Sequence, residues 1–82
     1  SMKILSVKAL ADYQLYITTN SGQEGVFDVS PYLQAPAFEK LQDPTEFAKI
    51  TNGGYFLAWG CGADLSADTI IARWQPCKAI AG

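Results

Sequence analysis

Asp64 and Asp68 stand four residues apart in WGCGADLSADTI (Trp59 to Ile70), and they are the carboxylates best spaced for an acid/base pair or a hard-cation site. Around a helix start, that spacing brings two side chains toward each other. A calcium or magnesium site needs more oxygen ligands than this loop supplies. The plainer reading is structural: Asp64 orders the glycine loop through side-chain to backbone hydrogen bonds, and Asp68 sits favourably in a first helical turn. Cys61, between Gly60 and Gly62, has the setting of an exposed nucleophile, but the chain has no histidine to activate it. Without imidazole, the usual base, proton shuttle and nitrogen ligand near neutral pH are all missing. Two cysteines alone do not close a zinc site within one chain, and Cys61 and Cys77, sixteen apart, miss the CxxC redox spacing. The glycines do not extend to GxGxxG, because Leu65 stands where the third would be. Ser30, Ser66 and Thr69 have no base beside them and read as caps. The sequence therefore predicts no catalytic residue, cofactor or metal, and a metal-dependent enzyme using Asp64 and Asp68 is the alternative from the enzyme class.

The elements that position these residues follow from period and punctuation. Ile4 to Leu10 alternates as a strand, with Leu5, Val7 and Ala9 on one face. After a tight turn at Ala11-Asp12, Tyr13 to Thr19 is a second strand with Tyr13, Leu15 and Ile17 together. Asn20-Ser21-Gly22 is hairpin chemistry leading to a third strand, Gln23 to Val29. Ser30-Pro31 then starts a short helical turn over Pro31 to Leu33, and Pro36 starts another carrying Phe38 and Leu41. Asp43-Pro44-Thr45-Glu46 has capping-box spacing ahead of Phe47 and Ile50. Asn52-Gly53-Gly54 joins strands Ala48 to Asn52 and Tyr55 to Trp59, the second apolar on both faces and so predicted to be covered on both. Ser66 caps a helix over Ala67 to Trp74 with Ile70, Ile71 and Trp74 as its inner stripe, and Pro76 stops it. The expected architecture is one α+β domain over 1–82, with its core in 3–74 and a loose tail over 75–82. Its antiparallel sheet has about five strands, a meander of three plus a hairpin, with two or three short helices packed on it.

Composition narrows the partners. The 82 residues are 49% hydrophobic, 12% aromatic and 17% charged, with net charge −2. Charged residues fall below the usual quarter of a soluble chain, so some of the ten rings are expected at the surface, where they favour self-association or a small protein partner. Tyr16, Tyr32, Phe56 and Trp74 are the candidate interface residues. One arginine and five lysines, scattered, make no phosphate-neutralising patch, and nucleic acid is not expected. No apolar run approaches the roughly 18 residues that cross a bilayer. Ser1 reads as a cloning remnant before Met2, and KILSVKAL is too short and charged for a secretory signal. These features predict a cytoplasmic protein with reduced thiols.

VFDVSPYL (Val26 to Leu33) together with WGCGADLSADTI resembles the small bacterial domain-of-unknown-function family 2442. The similarity covers about residues 3 to 74 and matches at Phe27, Asp28, Pro31, Trp59, Gly62, Asp64 and Asp68. Cys61 and Gly60 depart from the family, which often has a polar turn residue and a proline there. The resemblance implies an α+β fold with the sheet backed by helices, and it brings no known activity. Relatives are commonly tiny proteins encoded beside another small gene, as in toxin–antitoxin pairs. Some relatives continue into a helix-turn-helix domain, and without such an extension in these 82 residues direct DNA binding is not expected to be inherited. The expected function is a non-enzymatic protein-binding or regulatory module that forms a homo-oligomer, dimer or higher. An antitoxin-like partner of a small neighbouring toxin is the second expectation.

Overall fold

Simple alternation puts Leu5 beside Val7 and Ala9, and the chain departs from it at one point. In a computed structural model that describes residues 2–77, β1 (Ile4–Ala9) pairs antiparallel with β2 (Gln14–Thr19), Val7 opposite Ile17 and Ala9 opposite Leu15. The register shifts between Ile4 and Ser6. Such a bulge inserts one extra residue and reverses the sidedness of what precedes it. Ile4, opposite Thr19, is therefore the buried residue, while Leu5 is 60% exposed. The turn into β2 holds Asp12 and Tyr13 at φ 60° and 61°. Aspartate tolerates that region, but a tyrosine there is uncommon. The turn takes Tyr13 out of the strand alternation: its hydroxyl donates to the Gln42 carbonyl and its ring meets Phe47 edge-on, 5.4 Å between centroids.

The second hairpin follows the sequence closely. Gly22, at φ 85°, donates its N–H to the Thr19 carbonyl at 3.0 Å, and β3 (Glu24–Asp28) returns along β2 with Phe27 opposite Leu15. Short 3-10 turns occupy Ser30–Tyr32 and Pro36–Gln42, each opening near a proline, and they bury Phe38 and Leu41. α1 (Pro44–Phe47) is capped by the Asp43 carboxylate, which accepts from the Thr45 N–H at 2.9 Å. Only half of the expected capping box forms: the Asp43 N–H donates to the Lys40 carbonyl at 3.3 Å, and Glu46 pairs with Lys49 at 3.2 Å.

The remaining strands form a second sheet. β4 (Thr51–Asn52), β5 (Phe56–Ala58) and β6 (Asp64–Ser66) lie in that order, so the predicted hairpin is present with shorter arms, and a third strand follows the glycine turn where the sequence suggested no element. Ser66 caps α2 (Ala67–Arg73), accepting from the Thr69 N–H at 3.1 Å. The helix ends one residue before the expected Trp74, which turns to extended backbone. β7 (Gln75–Pro76) then adds to β3, with Val26 opposite Gln75. The start of the expected loose tail is thus an edge strand, and 78–82 lie outside the described residues. The first sheet runs β1-β2-β3-β7. The α+β class and the meander hold, with the strands divided between two antiparallel sheets. Among the described residues, no helix is long and apolar enough to cross a membrane.

The two sheets meet where the Ile4 N–H donates to the Gly54 carbonyl at 2.8 Å and the Asn52 amide donates to the Ile4 carbonyl at 3.1 Å. Leu15, Ile17, Phe27 and Val29 share one core with Leu41, Leu57, Trp59 and Ile70. At its centre, the buried Trp59 indole N–H donates to the Phe47 carbonyl at 2.8 Å.

Gly25 lies on the inner face opposite Ile17, and the Trp74 ring packs directly on it. A Cβ there would sit 2.5 Å from Trp74 Cδ2. Gly25→Ala is expected to push the indole off the sheet and lower unfolding stability by about 1–3 kcal/mol in denaturant titration.

Candidate functional site

The segment that carries the family resemblance bends β3 into a helical turn. The Asp28 carboxylate accepts from the Ser30 hydroxyl and, at 2.9 Å, from the Ser30 N–H. Those bonds hold its carboxyl below the usual range, the hydroxyl contributing most, against a smaller opposing effect of burial; the Gln14 amide adds to the lowering. Pro31 begins the turn, and Tyr32 packs its ring between Phe27 (5.8 Å) and Phe38 (5.6 Å). From the end of α2, Arg73 Nη1 donates to the Tyr32 hydroxyl at 3.1 Å. Phe27, Asp28, Pro31, Tyr32 and Arg73 together line a cleft of about 290 Å³. Three of the seven residues that match the family, Phe27, Asp28 and Pro31, are therefore on one surface feature. Arg73 was missed in the sequence, although it is the chain's sole arginine.

The second matching segment does structural work. Trp59 is a core residue, 4% exposed. Its N–H donates to the Ala63 carbonyl at 2.9 Å and its carbonyl accepts from the Gly62 N–H at 3.0 Å, with Gly62 at φ 97°. Neither bond involves Asp64, which is exposed at the start of β6 opposite Ala58. The expected loop-ordering role of Asp64 is corrected: main-chain groups close the turn by themselves. Asp68 occupies the first turn of α2, as expected. Among the described residues, no group of three or more Cys, Asp or Glu side chains is placed to hold a metal ion. Both cysteines are free thiols; Cys61 is half-buried with its Sγ 3.9 Å from the Ala37 carbonyl, and Cys77 is exposed.

The four candidate interface residues do not share a surface. Tyr16 stands on the outer face of the first sheet opposite Val26, its hydroxyl bonded to Glu24; that bond, with the carboxylate's charge, raises its pKa. Tyr32 belongs to the packed rings, and Trp74 covers Gly25 on the inner side. Phe56 alone is well exposed, at 46%. Its ring lies over Gly53, where a Cβ would come within 2.2 Å. The strand expected to be covered on both faces is covered on one, with Leu57 inside and Phe56 outside; Tyr55, just before β5, is also exposed, and Trp59, just after it, is buried. Leu5 and Tyr55 were missed as surface groups. Leu5 follows Ile4 and Tyr55 follows Gly54, so the Ile4–Gly54 bond sets both beside the junction at which Phe56 covers Gly53. The Gly53-Gly54 pair was the legible signal for an aromatic lying on bare backbone, whereas the turning out of Leu5 left no mark in the pattern.

The chain belongs to the family described as Protein of unknown function (DUF2442), which matches residues 4–76 and so takes in every strand and helix described above. No curated protein and no solved structure matches the chain.

The depressed Asp28 carboxyl has a defined pH signature. A folded-state pKa below the unfolded value of about 3.9 stabilises the fold above that value, and the contribution fades as pH falls through the folded value. Asp28→Ala is expected to cost about 1 kcal/mol at neutral pH. In acid titrations of thermal melting, the difference from wild type should narrow below about pH 4.

Proposed function

We propose that this member of the DUF2442 family is a non-enzymatic protein-binding module that self-associates, and that two copies meet through the junction patch of Leu5, Tyr55 and Phe56. The observation that carries this reading is the exposure of these three side chains, 60%, 56% and 46%, in residues that flank or closely follow the Ile4–Gly54 backbone bond between the two sheets. Isolated apolar residues on a surface are ordinary, but adjacent large ones mark contact sites. Two backbone devices produce the patch, the bulge after Ile4 and the glycine turn under Phe56. A two-fold contact places the same patch on both sides, and these three side chains carry no charge to repel their own copies. Tyrosine and phenylalanine supply large contact area with few rotatable bonds.

Light scattering coupled to size exclusion at micromolar concentration tests this directly. The wild-type chain is expected at twice its monomer mass. The double variant Leu5→Glu/Phe56→Glu, altered only at exposed positions, should run as a monomer with an unchanged far-ultraviolet dichroism spectrum. A wild-type chain that stays at single-chain mass across the concentration range would overturn the reading.

A further inference from the structure

The cleft at the end of β3 lies apart from the junction patch and holds two opposite charges that do not meet. Asp28 and Arg73 both line it, yet among the described residues the sole ion pair is Lys49 with Glu46. Between them the walls are apolar, made by the rings of Phe27 and Tyr32 and by Pro31. We propose that this cleft binds a free apolar α-amino acid, its carboxylate on the Arg73 guanidinium, its ammonium on Asp28 and its side chain against Tyr32.

Each part of that assignment has donor or acceptor capacity to spare. A guanidinium has five N–H donors in a planar fork, and among the described residues its one hydrogen bond goes from Nη1 to the Tyr32 hydroxyl. That bond anchors the head group while the remaining donors match a carboxylate in two-point fashion. A carboxylate has about four lone-pair sites; at Asp28 both Ser30 bonds go to Oδ1. Even with the neighbouring Gln14 amide there is room for one ammonium donor. Tyr32 is fixed from both sides by Phe27 and Phe38, so its ring is a preformed wall. The cleft volume of about 290 Å³ lies just below the range of drug-sized sites, which run from about 300 Å³, and suits a smaller molecule. A phosphate would pair with Arg73 and leave its remaining negative charge against Asp28. The C-terminal residue of a peptide would offer the carboxylate alone and leave Asp28 without its counter-charge. A free amino acid carries both charges on one carbon and an apolar group for the ring wall.

The probe is L-phenylalanine, titrated into the full chain while backbone amide shifts around Tyr32 and Arg73 are followed by NMR. Saturable shifts are expected, with affinity at least tenfold weaker for L-phenylalaninamide, which lacks the carboxylate, and for N-acetyl-L-phenylalanine, which lacks the ammonium. Arg73→Gln, at an exposed position, should weaken L-phenylalanine at least tenfold; Asp28→Asn, which keeps an acceptor for Ser30, should do the same. Absence of saturable shifts, or equal binding of all three compounds, overturns the proposal. Undiminished binding of the N-acetyl compound overturns it as well, since a carboxylate-only site would then remain. The outcome is separate from self-association, which light scattering reads independently of this cleft.

Discussion

The buried hydrogen bond from the Trp59 indole to the Phe47 carbonyl is the contact on which the two halves of the molecule depend. It joins the residue that follows β5 of the second sheet to the last residue of α1, and α1 is in turn packed beside the first sheet through Tyr13. If the indole is lost, a carbonyl in the interior has no donor, and the desolvation of that group is then uncompensated. Rings continue the tie in both directions. Tyr13 meets Phe47, Phe47 stacks on Trp59, and Trp59 meets Phe38, followed by Tyr32 and Phe27. Six of the ten aromatic side chains thus form one connected series. Each such ring buries a large area, which matters in a chain whose small size limits the core it can build.

That series also governs what is left for the surface. A composition rich in rings and poor in charge suggests broad aromatic exposure, but most rings are used to hold layers together. Tyr55, Phe56 and Leu5 remain exposed, in residues that the main chain brings close to the Ile4–Gly54 bond. At the other end of the series, Phe27 and Tyr32 are at once the last rings of the core and the walls of the charged cleft. The cleft therefore inherits rigidity from the interior, while the junction patch depends on the bulge and the glycine turn.

Much of the fold was legible wherever a local rule decides the conformation. Gly22 gave the second hairpin, Asp43 and Ser66 gave helix starts, and Gly53-Gly54 gave a third turn. What was not legible depends on contacts distant in sequence. A one-residue register shift after Ile4 leaves no trace in composition, yet it exchanges Leu5 for Ile4 in the core. β7 has only two residues, one of them proline, and exists because Gly25 lets Trp74 lie flat against β3. Tyr13 reads as a strand residue until its positive φ aims it at Gln42. Of the site residues, Phe27, Asp28 and Pro31 could be picked out as a group, but Arg73 reaches them only through the packing of α2.

Urea unfolding of Trp59→Phe, followed by the emission of Trp74, tests the central tie most directly. The substitution keeps a ring in the series and removes the donor to Phe47. The predicted result is a loss of about 2–4 kcal/mol with an unchanged denaturant slope. A variant that unfolds within about 0.5 kcal/mol of wild type would contradict the claim that this bond holds the two halves together.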